Sequence, residues 1–232
     1  MKKISFVLAA LFISTMSFAQ TAEEIVANYI KAVGGIEAIA KIKDVTITMS
    51  GEAQGTSLEI VIQKKPSNKF LQTVNVSGMG EVAKTVCDGK KAQMGGMQGS
   101  QDITEATKVK SIAMQAMIIP ESEYVKSGAK LTLAGKEKVG EEEAYKIEVE
   151  VGETKLTEFY SVATGFKIRQ VLTAETPMGS QTVTSDFGDF RDVSGVKMPY
   201  KMSQDLGMMQ LALIVSKIEA NTNLADALFE IK

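Results

Sequence analysis

Residues 145–151 read YKIEVEV, the most regular alternation of apolar and charged side chains in the chain. A period of two is typical of a β-strand that buries one face and solvates the other. A half-buried strand of this kind is usual in antiparallel sheets. The segment therefore predicts an antiparallel sheet with one apolar face.

Strand-like segments recur on both sides of this one at spacings of about 8 to 14 residues, about ten or eleven in all. Residues 154–162 and 166–173 flank Ala163-Thr164-Gly165, which predicts a hairpin with glycine in the left-handed region. Because the joins between strands are short, the sheet should be antiparallel. The chain has no long polar linker, so we expect a single domain over residues 20–232.

The first helix is predicted just ahead of the strands. Thr21 and Glu24 have the spacing of a capping box, and apolar residues follow at helical intervals. Gly34-Gly35 should end this helix, and a second short helical turn should reach Ile42.

A later helix is predicted over residues 104–118, where apolar residues again recur at helical spacing. Thr104 could cap it, and Pro120 should end it. Just before it, residues 94–99 read MGGMQG, which predicts a flexible loop.

The N-terminus has the pattern of a secretory signal peptide. Lys2 and Lys3 precede an apolar run over residues 4–13, and Ser17-Phe18-Ala19 has the small residues of a cleavage site. The run is shorter than the ~20 residues that span a bilayer, which favours cleavage after Ala19 over a retained anchor. Gln20 is not a cysteine, so no lipid anchor is expected. The sequence thus predicts a soluble periplasmic protein whose residues 1–19 are removed.

The composition excludes several classes of function. The chain has no His and no Trp, one Cys, and a net charge of −2. Without imidazole, Ser-His-Asp and Cys-His catalysis and His-bearing metal sites are excluded. A pI of about 5.5 argues against a nucleic-acid partner, which calls for a basic surface. We expect no enzyme activity, no cofactor and no resident metal.

The clusters that could carry chemistry each have a structural explanation. Glu141-Glu142-Glu143 fits a solvated turn better than an acid–base pair. Asp186, Asp189 and Asp192 straddle an expected strand and turn, without the oxygen-rich loop that calcium needs. The 13 methionines fit either ordinary core packing or the lining of a site for a flexible apolar ligand.

Four stretches, taken in order, resemble exported proteins of Bacteroidota related to the periplasmic lipoprotein carrier of the Lol pathway. They cover most of the chain beyond residue 19. They are residues 22–43, opening AEEIV; residues 134–147, with AGKEKVG and then EAYKI; residues 159–166, FYSVATGF; and residues 187–199, FGDFRDVSGVKMP.

The resemblance implies a mainly β fold: a single, strongly curved, half-open antiparallel sheet, like an unclosed barrel, covering two or three short helices. It also implies an apolar cavity between sheet and helices that receives acyl chains. The inward-facing halves of the alternating strands are the candidate lining residues, and ordinary core packing is the other explanation for them. These candidates are Val45, Ile47, Met49, Leu58, Ile60, Ile62, Tyr145, Ile147, Val149, Met198, Tyr200 and Met202.

Two functions follow as hypotheses. The first is a non-enzymatic periplasmic carrier or sensor of lipid or lipoprotein acyl chains, with a membrane protein as possible donor or acceptor. An acyl chain must be sheltered from water because each buried CH₂ contributes about 0.8 kcal/mol. The alternative is a protein-interaction module without a small ligand, accessory to exported or outer-membrane proteins, which would use exposed strand edges.

Overall fold

The structure, a computed structural model, describes residues 20–231 apart from residues 54, 98, 152–153, 177–178 and 208–209. The predicted signal peptide lies outside these residues. The helical elements are α1 Ala22–Ala32, α2 Ile36–Lys41, α3 Ala106–Gln115, a 3₁₀ turn Pro120–Glu123, α4 Tyr124–Ser127 and a 3₁₀ turn Asp226–Phe229.

The strands form one open, curved antiparallel sheet, which confirms the predicted fold class. Its order is β6-β5-β4-β3-β2-β1-β13-β12-β11-β10-β9-β8-β7. The strands are β1 Val45–Ala53, β2 Thr56–Lys65, β3 Lys69–Val76, β4 Gly80–Asp88, β5 Ala92–Gly96, β6 Gly99–Ile103, β7 Lys130–Val139, β8 Glu142–Val151, β9 Thr154–Ser161, β10 Lys167–Thr176, β11 Gly179–Val193, β12 Val196–Asp205 and β13 Gln210–Ala220.

The sheet has 13 strands, so the expected count of ten or eleven was wrong. The predicted loop over residues 94–99 is instead the tip of a hairpin, in which Gly95 pairs with Ser100 and Gly96 with Gly99. Glycine lowers strand propensity, but an edge hairpin needs few packed side chains, and backbone pairing suffices there.

Helix α3 is shorter than predicted and starts differently. Its N-cap is Glu105 rather than Thr104, and no side chain caps its first turn. The helix ends at Gln115, and Pro120 opens the next 3₁₀ turn. Proline fits the first position of a helical turn because its missing N–H has no partner to lose there.

Helix α1 forms as the sequence predicts. The Thr21 hydroxyl accepts from the Glu24 amide at 3.2 Å, and the Glu24 carboxylate accepts from the Thr21 amide at 3.0 Å. Its apolar side belongs to the buried cluster that contains Val196 of β12, and Tyr29 packs on Tyr160 of β9. The helix therefore covers one half of the inner face of the sheet.

The inner face is covered further along by α3, and the outer face by the C-terminal tail. Phe70 and Cys87 pack under Ile112 and Ala113 of α3. Their neighbours Leu71 and Val86 point to the opposite face and pack against Phe229 of the tail. The carboxylate of Asp44 fixes the start of the tail by accepting hydrogen bonds from the amides of residues 222–224. Burial alone would raise the pKa of Asp44, but these hydrogen bonds outweigh it and lower the pKa.

The C-terminus of α1 is docked on the β11–β12 turn. The carbonyl of Val33 accepts from the Lys197 amide at 2.7 Å. Gly34 follows with a φ of 128°, and a Cβ there would lie 2.2 Å from the carbonyl oxygen of Gly195. Only glycine permits both this backbone conformation and this approach.

We therefore expect Gly34→Ala to lower the free energy of unfolding by at least about 2 kcal/mol, because strain and a backbone clash add. Gly188→Ala in β11 is the control, since nothing lies within 4 Å of its added Cβ. It should change stability by no more than about 0.5 kcal/mol. Urea unfolding measures the stability of both variants, and equal stabilities would contradict the docking of α1 on the β11–β12 turn.

Candidate functional site

A cavity of about 180 Å³ lies between the centre of the sheet and the Pro120–Glu123 turn. It is bounded by β1, β2, β10, β11, β12 and β13 on the sheet side and by Tyr29 of α1. Most of its wall is apolar. The lining residues are Tyr29, Ile47, Met49, Ile62, Lys64, Ile118, Ile119, Pro120, Glu121, Lys167, Phe187, Phe190, Met198, Pro199, Met202, Val215 and Ile218.

The strand register gives this cavity a polar end and an apolar end. Lys64 pairs with Val45 at the start of β1, and Ile62 pairs with Ile47 one step further along. Met49 comes after that and pairs with Val215 on β13. Two residues of a strand advance about 6.6 Å, so the cavity runs from the Lys64 ammonium group toward a wall of methionine and valine.

Five of the twelve predicted lining residues line this cavity: Ile47, Met49, Ile62, Met198 and Met202. The other seven do not. Leu58 and Ile60 belong to a neighbouring apolar cluster with Met49 and Leu213. Val45, Ile147 and Val149 are buried against α1, and Tyr145 and Tyr200 pack partly buried at the edge of that core.

A cluster of buried charges closes the polar end. The Lys167 ammonium group donates to Glu121 and, at 3.1 Å, to Glu158. The Tyr124 and Tyr160 hydroxyls donate to the two oxygens of Glu158 at 2.9 and 2.5 Å. Glu121 and Glu158 have side chains only 1% and 0% exposed, so these pairs are screened little by solvent.

The protonation of this cluster follows from its burial and its pairing. Burial disfavours the charged form of Lys167, but Glu121 and Glu158 outweigh it and raise the pKa of Lys167. Burial raises the pKa of Glu121, against the opposing effect of Lys167. The pKa of Tyr124 is also raised, first by burial and then by Glu158. The tyrosines therefore stay protonated and act as donors.

Two polar groups at this end of the cavity are incompletely paired. Within the described part of the chain, nothing donates a hydrogen bond to the second carboxylate oxygen of Glu121, Oε2. Lys64 is partly buried, and its ammonium group donates to the Met117 carbonyl at 3.3 Å. Burial, with Lys167 adding repulsion, lowers the pKa of Lys64 to about 8.

The charged residues of this cavity were not predicted from the sequence, although the alternation of the strands contains the signal. Lys64 continues the inward series of Leu58, Ile60 and Ile62 on β2. Glu158 lies between Leu156 and Tyr160 on the inward face of β9. A charge at an inward position of a strand predicts a buried partner.

A larger cleft, about 650 Å³, lies elsewhere. It is an open groove between α3 and the β4–β5 turn, with Lys90, Lys91 and Lys110 on its rim. The smaller central cavity is the better candidate because its polar groups converge on an apolar wall, as in most small-molecule sites.

The acidic clusters weighed from the sequence have structural partners. Asp186 forms a two-contact pair with Arg169, and Asp189 forms one with Arg191. The Asp192 carboxylate accepts from the Gly195 amide at 3.2 Å in the β11–β12 turn. Among the residues that the structure describes, no three His, Cys, Asp or Glu side chains converge to hold a metal ion.

Solved structures with the same fold include a LolA superfamily protein from Nitrosomonas europaea, with a TM-score of 0.59 and 13% identity, covering 92% of this chain and 99% of that one. A DUF1329 family protein from Desulfovibrio piger has a TM-score of 0.58 and 11% sequence identity. The match covers 91% of this chain and 98% of that one. A putative outer membrane lipoprotein-sorting protein domain from Vibrio parahaemolyticus has a TM-score of 0.55 and 10% sequence identity. The match covers 90% of this chain and 96% of that one. No protein-family model and no curated protein sequence matches the chain.

The resemblance inferred from the sequence motifs is thus confirmed at the level of the fold. Separately, the described residues contain no helix with the length and apolar character needed to cross a membrane.

Removing the cation of the buried cluster should destabilise the protein strongly. Lys167→Met leaves Glu121 and Glu158 buried without a counter-charge, which should cost about 3–5 kcal/mol in urea unfolding. The control is Lys108→Met, which breaks an exposed pair with Glu105 at 3.0 Å. It should cost less than about 1 kcal/mol. Comparable losses in the two variants would show that the buried cluster does not stabilise the fold.

Lys64→Met should instead stabilise the protein, by up to about 3 kcal/mol near pH 7, because a buried charge is removed. The folded-state pKa of Lys64, about 8, lies below the ordinary value of about 10.4. The cost of the charged lysine is therefore full below pH 8 and fades as the pH rises to about 10.4.

Urea unfolding at several pH values tests this expectation. The gain from Lys64→Met over the wild type should be largest near pH 7 and smallest near pH 10. Lys84→Met, at an exposed position of β4, is the matched control and should change stability by less than about 0.5 kcal/mol. A gain that does not vary with pH would contradict the lowered pKa of Lys64.

Proposed function

We propose that this protein is a non-enzymatic periplasmic carrier or sensor that binds an acyl chain of a lipid or lipoprotein in the central cavity. The observation that supports this most directly is the apolar wall beneath the Pro120–Glu123 turn, formed by inward side chains of five neighbouring strands. Such a wall shelters hydrocarbon from water, which is the main driving force for binding an acyl chain.

The similar structures support the same proposal. One is described as a member of the LolA superfamily and another as a putative outer membrane lipoprotein-sorting domain. A membrane-protein donor or acceptor of the lipid and export by the predicted signal peptide belong to this proposal.

The proposal is tested first on the purified protein. Native mass spectrometry of protein prepared from bacterial membranes and periplasm should show a bound lipid, and a fluorescent fatty-acid analogue should bind to delipidated protein. A mass equal to the bare chain, together with no uptake of the analogue, would exclude acyl-chain binding.

A pair of variants in β2 locates the site. Ile62 lines the cavity, whereas Val61, the residue before it in β2, points to the other face of the sheet. Ile62→Phe should fill part of the cavity and weaken uptake of the analogue roughly tenfold, equivalent to about 1.4 kcal/mol. Val61→Phe should leave uptake within about twofold. Equal effects of the two substitutions would place the bound chain outside this cavity.

The alternative role is that of an interaction module. Edge strand β6 favours it, because four of its five residues are exposed and it pairs with β5 on one side. An exposed edge can accept an extended peptide as an additional strand. This role would be favoured if the lipid tests fail.

A further inference from the structure

The polar end of the cavity carries unused hydrogen-bonding capacity. Glu121 and Lys64 both line the cavity, and among the described residues no ion pair within 4.0 Å joins them. Glu121 Oε2 is buried and has no donor within the described structure. An unsatisfied buried carboxylate oxygen costs more than a neutral one, so the site is complete only when a donor reaches it.

An acyl chain that entered methyl end first would leave this oxygen without a donor. Hydrocarbon can neither donate to Glu121 nor accept from Lys64, and its entry would remove solvent from both groups. The desolvation cost of two polar groups would oppose the gain from burying the chain. A chain that enters with its polar end toward Glu121 avoids that cost.

The balance of charge in the cavity favours a neutral polar group on the ligand over a charged one. Lys64 and Lys167 face Glu121 and Glu158 at this end, so two positive side chains are matched by two negative ones. A fatty-acid carboxylate would add an unmatched negative charge beside Glu121. A hydroxyl adds no charge, donates one hydrogen bond and accepts another.

On the basis of the proposed lipid-binding function, we propose that the cavity binds a single-chain lipid head inward. A hydroxyl of the lipid donates to Glu121 Oε2 and accepts from the Lys64 ammonium group. Its alkyl chain lies along Ile47 and Ile62 toward Met49, Met202 and Val215, in the direction that the strand register gives. The ligand class is therefore a fatty alcohol or a monoacylglycerol.

Ligands with matched ten-carbon chains test this assignment on the full mature chain by displacement of a fluorescent alkyl probe. 1-Decanol and 1-methoxydecane carry the same decyl chain, and the ether has a methyl group in place of the hydroxyl hydrogen, so only the alcohol can donate. Both oxygens can accept from Lys64. We expect 1-decanol to bind roughly tenfold more tightly or better, since hydrogen bonds to charged groups are the stronger ones. Monodecanoylglycerol and decanoate distinguish a glyceride source from a fatty acid.

Glu121→Gln tests the acceptor. Lys167 holds the amide oxygen of the new side chain, which leaves the NH₂ group, a donor, in the place of Oε2. The preference for 1-decanol over 1-methoxydecane should then fall to within about twofold. Retention of the full preference in Glu121→Gln would overturn the proposal.

Lys64→Met is a second variant in case Glu121→Gln does not fold, since it breaks no ion pair of the buried cluster. It should weaken 1-decanol and 1-methoxydecane by the same factor and leave their ratio unchanged. A ratio that collapses in Lys64→Met would contradict the assigned roles.

The outcomes separate this inference from the proposed function. If no alkyl ligand displaces the probe and the probe itself does not bind, the lipid-binding function fails. If alkyl ligands bind but 1-decanol and 1-methoxydecane bind equally, or decanoate binds most tightly, only the head-inward hydroxyl assignment fails.

Discussion

The segment that connects the two edge strands of the sheet determines how the inner face of the sheet is covered. Strands β6 and β7 are consecutive in sequence yet lie at opposite ends of a 13-stranded order. The chain over residues 104–129 must therefore cross a whole face of the sheet. It crosses the apolar inner face, since α3 packs on Phe70 and Tyr124 on the core beneath α1. Strand curvature shortens this crossing, and the short helices that it contains leave part of the face uncovered.

The crossing segment is held by polar contacts rather than by packing alone. Glu121 pairs with Lys167, and Tyr124 donates to Glu158, so two neighbouring residues of the segment are tied to β9 and β10. Buried networks of this kind are costly to desolvate, but they accept only one geometry. The position of the Pro120–Glu123 turn over the centre of the sheet is therefore fixed more sharply than apolar contacts would fix it.

Local patterns predicted the elements whose physics is local. The alternation in residues 145–151 and the Thr21–Glu24 box both formed as expected, because a strand face and a helix cap depend on near neighbours. The same alternation identified apolar residues that line the cavity, such as Ile47 and Met202. It could not separate them from core residues such as Ile147, because that distinction depends on where a distant segment crosses.

The polar half of the cavity depends on contacts that sequence spacing cannot supply. Glu121 follows an apolar Ile-Ile-Pro run and meets Lys167, 46 residues further along the chain. The prediction that residues 94–99 form a loop was also wrong, because it relied on local propensity alone. Backbone pairing at the sheet edge overrode the weak strand propensity of glycine, as tertiary context often does.

The volume of the cavity bears on how it would admit a ligand. At about 180 Å³ it is below the roughly 300–1,000 Å³ of most small-molecule sites, so a long chain needs additional space. Displacing the Pro120–Glu123 turn would break the ion pair of Glu121 with Lys167 and, by moving the adjacent Tyr124, would remove one of the two tyrosine donors of Glu158. Displacing α3 breaks mainly apolar contacts, and its first turn has no side-chain cap. The energetic difference favours an opening at α3, with the charged end of the cavity staying in place to receive the head of the ligand.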